Sequence, residues 1–482
     1  MIYNHEKLGP HWLTQVAAVM DRSKSRGGRT RHLIQRSHSS FDLAELKQAP
    51  PKQDITMVMG IISAGMGATK ALLNFYGSLL HYWLRRGSYA DCPFFSDDLH
   101  AKTYVYSIAL LNPLWSQPHY RHPSFYKDLV TNLRNVAIPG TGVPLSIVSY
   151  SRLILFPFLL FVYPWLCAIG AFFELPKEYS SKQGGIIERF VRTFTQIFVC
   201  PQNWFAFWRI NCHVVSLHSL KTNSPGYIME NKWDFLIEAE KNGIAVSPYL
   251  KTPGSLVVKD RNEEGGMGIF IFKNAVDGGD WIIQEKLDNS PFLKKLLPEV
   301  SPLSTFRIIT ASRHGLGEAE ALKDGGNGVK SLSCVFRAGL AGAATDHKSI
   351  MFDVDMESGK IMKGSTTTHW YRVGPHHMFR GNLSVGHDIT NHPDTGVPIT
   401  GNVIKDIKQM KELAEEAHFK LMKDVPLCGW DVAITNLGVL LLEVNISCNF
   451  FRGTFDQPWY FQFLDDYFRH LETLPTPAKK TN

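Results

Sequence analysis

Residues 428–445, CGWDVAITNLGVLLLEVN, constrain the fold more tightly than any other stretch of the chain. Two apolar runs, 429–435 and 439–445, flank Asn436-Leu437-Gly438, a three-residue connection in which Gly438 can supply the left-handed position of a bulged hairpin turn. If Thr435 pairs with Val439, Asp431 falls directly opposite Glu443, and cross-strand partners share a face. Asn445 lies two residues beyond Glu443, which puts it on that face too. Facing carboxylates repel unless something positive separates them. A hard divalent cation such as Mg2+ accepts carboxylate and amide oxygens and removes the conflict. The competing reading is a solvated sheet edge that carries incidental polar residues.

At 482 residues, 44% hydrophobic and 20% charged, the chain is that of a folded protein with two or more structural regions. Its net charge of +7 is unevenly spread, since residues 1–220 hold 22 Lys/Arg against 12 Asp/Glu. Part of that excess is RSKSRGGRTRHLIQR, residues 22–36, which could contact anionic lipid, belong to an organelle-targeting segment, or form a solvated loop. Nucleic acid is not an expected partner. The seven cysteines show no CxxC spacing, which suits a reducing compartment and argues against a structural zinc site. The spacings of His369, His376, His377, His387 and His392 fit no tetrahedral site either, and they read as loop histidines. The first 20 residues lack the cationic start and apolar run of a secretory signal.

LILFPFLLFVYPWLCAIGAFF, residues 153–173, carries no charge and is long enough to cross a bilayer core of about 30 Å as a helix. Pro157 and Pro164 would kink it, and Tyr163 and Trp165 fall mid-span rather than at an interface. A buried helical hairpin or a re-entrant segment is the alternative. Arg134 and Arg152 precede the run, whereas Lys177, Lys182, Arg189 and Arg192 follow it, so the positive-inside tendency leaves the C-terminal part on the cytosolic side. An organelle membrane is one variant of this reading, and a cytoplasmic protein is the alternative. Residues 55–83 are also apolar, but Lys70 and several glycines interrupt them, which predicts a packed or amphipathic helix.

From about residue 226 the pattern becomes α+β. NKWDFLIEAEKNG (231–243) reads as a helix closed by a glycine stop, and residues 403–422 carry an apolar stripe from Val403 to Leu421 that lays a helix on a sheet. GSLVVKDRNEEGGMGIFIF (254–272) reads as strand, Gly-rich loop, strand. WIIQEKL (281–287), STFRIIT (304–310) and SCVFRAGL (333–340) read as further strands. The Gly-rich loop has no GK[ST] and leads into a strand, so it is neither a Walker loop nor a dinucleotide fingerprint. A glycine hairpin can still present backbone N–H groups to an anion, with Lys259 at the strand end supplying charge.

The order of these parts resembles the ATP-grasp superfamily: a Lys-ended strand with a Gly-rich hairpin, the segment 281–287, a strand bearing Arg307, then the Asp–Glu–Asn hairpin. QEKLDNSPFLKKLLPEVSPLSTFRIIT, HPDTGVPITG and GWDVAITNLGVLLLEVN narrow it, since they look like the sugar-transfer-associated ATP-grasp domain related to α-L-glutamate ligases. The resemblance covers roughly residues 226–465. It implies an ATP-grasp fold, two α+β lobes gripping ATP, in the C-terminal half. Lys259 would contact ATP phosphates, and the backbone of Gly265, Gly266 and Gly268 would fold over them. Gln284, Glu285 and Leu287 match the adenine linker, and Arg307 matches the arginine facing the transferred phosphoryl group. Asp431, Glu443 and Asn445 match the ligands of Mg2+, for which Mn2+ is the substitute. Where the family has Asp-Asn after the Arg-Gly strand, this chain has Asp346-His347.

Residues 1–50 then read as a basic segment, 51–225 as a helical region containing the membrane candidate, 226–465 as the ATP-grasp domain and 466–482 as a tail. The implied activity is that of a ligase: Lys259 and Arg307 assist transfer of the γ-phosphoryl of ATP to a carboxylate, and an amine or other nucleophile displaces phosphate. Arg337 would orient an anionic acceptor or form a surface ion pair, and Lys232 reads as a lysine on an exposed helix face in preference to a further nucleotide contact. The alternatives are a membrane-attached nucleotide-binding module without turnover and a direct phosphotransferase.

Overall fold

A computed structural model describes residues 52–475 apart from 135, 138–142, 150, 176–184, 260, 262–268, 324–325, 347–348 and 367–387. The N-terminal part is helical: α1 (Lys52–Trp83), α2 (Leu99–Leu114), α3 (Phe125–Leu133), α4 (Arg152–Glu174), α5 (Ile186–Val199) and α6 (Trp204–Thr222). Capping chemistry sets several starts. Asp98, Ser124 and Asn203 each accept a hydrogen bond from a backbone N–H of the first turn, satisfying one of the donors that every helix start leaves open. In α4 the segment Phe158–Val162 widens into a π turn between Pro157 and Pro164, two residues that have no N–H to give to the ladder.

The C-terminal half is α+β. A two-stranded hairpin, β1 (Ser255–Lys259) with β2 (Ile269–Lys273), stands apart from a six-stranded antiparallel sheet of order β6-β5-β4-β3-β7-β8. The six strands are β3 (Thr305–Ser312), β4 (Val329–Gly339), β5 (Ser349–Val354), β6 (Ile361–Thr366), β7 (Leu427–Thr435) and β8 (Gly438–Asn445). All residues of β3 and of β7 are buried, so the centre of the sheet is covered on both faces. The helices of this half are α7 (Lys232–Lys241), α8 (Ile407–Met422) and α9 (Gln457–Thr473). Asn231 caps α7, and Gly243 lies just past its end with φ of 71°.

Two elements depart from the sequence expectation. α8 starts at Ile407 and not at Val403, because residues 402–404 are drawn into pairing: Ile361 donates to Asn402 O and Ile404 donates to Gly359 O. WIIQEKL forms no strand. Its backbone makes isolated bridges, Trp281 with Asn274 and Gln284 with Tyr249, and runs beside the extended segment 245–250.

One hydrophobic core joins the helical region to the sheet. α9 packs against α2 and α6, and Phe207, Phe450, Phe455 and Tyr460 form an aromatic cluster across that contact. Polar groups inside the contact are matched. Asn211 donates to Cys448 O at 3.1 Å and accepts from the Tyr460 hydroxyl at 2.6 Å, which avoids the cost of about 1–3 kcal/mol for an orphaned buried group. Asp465 receives Tyr89 Oη at 2.8 Å and the Lys102 ammonium at 3.2 Å. Residues 466–473 continue α9, with Tyr467, Phe468 and Leu471 fully buried.

Candidate active site

Asp431 lies opposite Glu443 in the β7–β8 ladder, but the register reaches that pairing by another route than the turn. Thr435 pairs with Gly438, not with Val439, so the loop is the two residues Asn436-Leu437 and Gly438 takes φ of 108°. A bulge at Leu442 then inserts one extra residue, and the ladder continues with Asp431↔Glu443, Trp430↔Val444 and Gly429↔Asn445. The bulge decides the chemistry. Without it, the two-residue period would turn Glu443 and Asn445 onto the face of Trp430.

That opposite face is pinned by a chain of hydrogen bonds. The Trp430 indole donates to Thr310 Oγ1 at 2.8 Å, and Thr310 Oγ1 lies 2.7 Å from His418 Nδ1. His418 Nε2 donates to Val425 O at 2.9 Å, which fixes the tautomer. Burial holds this imidazole down to about 4, so it is neutral and serves as a strut between α8 and the sheet.

On the site face, β3 sets Arg307 beside Asp431, and Arg307 Nε donates to Asp431 Oδ1 at 2.6 Å. Arg337 of β4 reaches Asp431 Oδ2 at 3.4 Å and Asp346 Oδ1 at 2.9 Å. Thr305 donates a short hydrogen bond to Asp346. Burial pushes the Asp431 carboxyl up, but the Arg307 and Arg337 guanidiniums outweigh it and hold the carboxyl below its ordinary value. Phe451 lies against both cations, 5.5 Å from the Arg307 guanidinium carbon and 6.0 Å from that of Arg337. It does so at φ of 49°, a backbone region costly for a bulky residue.

Glu443 has two partners: Lys232 Nζ at 2.7 Å from Oε2, and the Asn445 amide, which donates to Oε1 at 3.2 Å. Lys232, the first residue of α7, is exposed as expected, and from that position it reaches the site. Arg337 is likewise no surface pair, being 6% exposed. The chain after β8 is tied to the helical region. Glu230 accepts from Ile446 N at 3.1 Å and pairs with Arg121 at 3.0 Å, while Tyr120 and Arg121 both reach Ser447.

The site face borders a cavity of about 570 Å³. Arg307, Arg337, Asp431, Glu443 and Asn445 are brought together there, joined by Lys232, Asp346 and Arg452. Lys259 is on the exposed β1–β2 hairpin and Gln284, Glu285 and Leu287 on the segment beside residues 245–250; none of the four lines the cavity. Gly265, Gly266, Gly268 and His347 lie outside the described residues, as do His369, His376, His377 and His387. His392 is buried, with Nε2 3.1 Å from Gly339 O. Among the described residues no cluster of three His, Cys, Asp or Glu could hold a metal. The site offers instead two carboxylates and an amide oxygen, a hard set that fits Mg2+ or Mn2+ and disfavours softer metals. The Asn445 amide fits that role, since its bond to Glu443 uses the nitrogen.

Residues 275–451 match the family described as sugar-transfer associated ATP-grasp. No curated protein matches the chain. Among solved structures, the N5-carboxyaminoimidazole ribonucleotide synthetase of Thermotoga maritima is similar at 14% identity and a TM-score of 0.23, over 55% of this chain and 58% of that one. With the family match spanning β3 to β8 and the hairpin that faces the cavity, the C-terminal half of this chain contains an ATP-grasp domain of the sugar-transfer associated kind.

Proposed function

We propose that this domain binds ATP with a divalent cation and moves the γ-phosphoryl group onto a carboxylate, giving an acyl phosphate that an amine or thiol then attacks. The observation that carries the reading is the opposition of Asp431 and Glu443 on the cavity face, with Asn445 beside them and Arg307 and Arg337 at hand. Bound there, Mg2+ or Mn2+ would neutralise phosphate charge. Arg307 holds Asp431 through Nε, so its terminal nitrogens are not committed to that contact and suit the oxygens of the transferred group. In this reading Lys259 and the backbone of Gly265, Gly266 and Gly268 cover the phosphates from the β1–β2 hairpin. Gln284, Glu285 and Leu287 hold adenine, with Leu287 buried and the other two exposed. Lys232 holds the Glu443 side chain in place through their ion pair at 2.7 Å.

Titration calorimetry of the full chain with ATP tests the assignment. Affinity in excess magnesium is expected to exceed that in EDTA at least tenfold. Equal affinities in the two buffers would remove the metal from the site.

We further propose that the helical region attaches the chain to a membrane with the ATP-grasp domain on the cytosolic side. Thr56–Trp83 and Arg152–Glu174 are both long and apolar enough to cross a bilayer, and only 11% of the apolar window in each is buried. Leu153, Phe161, Trp165 and Phe172 of α4 and Met66 and Leu73 of α1 are each more than 60% exposed. Thr56–Trp83 thus forms a helix whose N-terminal part is largely exposed, with Ala64 buried. Under carbonate extraction of a membrane fraction the chain is expected to stay in the pellet; its release into the supernatant would refute the attachment.

A further inference from the structure

The cavity has a second wall, and it comes from outside the matched family region. Leu133 ends α3 and Val136 follows it, Trp204 and Trp208 belong to α6, and all four line the cavity. Leu133, Trp208 and Cys212 form a small hydrophobic cluster distinct from the main core, with Val136 and Trp204 packed on it. Phe205 stacks on Trp208 at 5.7 Å and supports that indole. One side of the cavity is therefore a charged sheet face, and another is an apolar indole face.

The nucleotide does not account for the indoles. The linker proposed for adenine, residues 284–287, does not line this cavity, and the segment 245–250 lies between it and β8: Leu441 donates to Ala245 O, and Leu250 donates to Ile283 O. In the ATP reading only the phosphates reach the cavity, and the apolar face is left for the second substrate. Arg337 and Arg452 line the same cavity and give it positive charge, Arg337 while paired with Asp346 and Asp431.

We propose that Trp204 and Trp208 bind the apolar part of the carboxylate acceptor, so that the acceptor is an amphiphilic acid and the helical region selects it. The proposal rests on the ATP-dependent activation reading above. Each methylene that leaves water for such a wall is worth roughly fourfold in affinity. The acid can come from solution or from a bilayer, and the test contains both sources.

The chemistry gives a direct readout. A carboxylate oxygen attacks the γ-phosphorus, the bond to the β–γ bridging oxygen breaks, and ADP leaves. Added hydroxylamine then attacks the acyl carbon through nitrogen, loses a proton to solvent and expels inorganic phosphate, leaving a hydroxamate. The full chain in detergent receives Mg-ATP, hydroxylamine, and acetate, 4-phenylbutyrate or decanoate; a parallel arm supplies palmitate in phosphatidylcholine vesicles. At least one apolar acid, in either arm, is expected to exceed acetate tenfold in kcat/KM. Trp204→Ala and Trp208→Ala should erase most of that gain through KM, Trp208→Phe should retain it, and ATP affinity by calorimetry should stay within twofold in all three. Acetate performing as well as every apolar acid overturns the proposal, as does hydroxamate from none of them while ATP binds normally. Indole variants that weaken ATP as much as the acid also overturn it, assigning the wall to the nucleotide. Absence of ATP binding in the unaltered chain would instead defeat the ATP reading, and this proposal with it.

Discussion

Asp431→Asn is expected to lose about 3–5 kcal/mol of folding stability together with ATP turnover, the largest effect of any single change at the site. Asp431 is the buried carboxylate between Arg307 and Arg337, and a neutral amide leaves Arg307 without the charge that compensates its own burial. Such a loss is a large part of the 5–15 kcal/mol typical of a whole domain. The sign of the pH dependence follows from the depressed carboxyl. Its contribution is fully present above the unfolded value of about 3.9 and is lost as pH falls through the folded one, so the deficit of the variant is complete at neutral pH. Urea denaturation monitored by circular dichroism measures it. The double variant Arg307→Met, Asp431→Leu separates stability from chemistry: removing both charges should restore most of the midpoint and none of the turnover. A single variant as stable as the unaltered chain would show that the pair is not what holds β3 against β7.

Glu443→Gln and Lys259→Ala are expected to fail in different ways. The Glu443 side chain is 26% exposed, so its neutralisation should cost little stability. Its loss as a metal ligand should instead reduce ATP affinity in magnesium toward that in EDTA, and turnover with it. Lys259 is assigned to phosphate directly, so its removal should weaken ATP even at saturating magnesium. A charge-assisted contact of about 1.5–3 kcal/mol corresponds to roughly ten- to hundredfold in either case. Titration calorimetry and phosphate release distinguish the two patterns. If both variants fold and hydrolyse ATP like the unaltered chain, the assignment of ligands and phosphate contacts is wrong.

The Asp431–Glu443 pairing was legible because Asp, Glu and Asn stand out in two apolar runs around a turn signal. The bulge was not. Leu440-Leu441-Leu442 is apolar throughout and carries no parity, so nothing local says where the extra residue sits. Lys232 was legible as a helix residue with a nucleotide contact as the lesser reading, but its pairing with Glu443 was not, since that partner is more than two hundred positions away. Trp204 and Trp208 escaped for the same reason. An aromatic pair four apart on a helix reads as core until the opposite wall is known. WIIQEKL looked like a strand by propensity, and the backbone that could have paired with it in full is engaged elsewhere.

The residue inserted at Leu442 also bears on how this chain can vary in length. Between Asn436 and Leu442 the hairpin holds one residue more than a regular ladder joining Asp431 to Glu443 requires. One position can be lost anywhere in that interval and the two carboxylates still meet, because straightening the bulge absorbs the loss. Removal of Leu437 would even leave Asn436-Gly438, a dipeptide suited to the tightest hairpin turn. Past Glu443 there is no such slack: losing one residue before Asn445 swings the amide away from the cavity. Related chains can therefore differ by a residue at the tip of this hairpin and share an intact site, whereas a gap only a few positions later marks a site that has been dismantled.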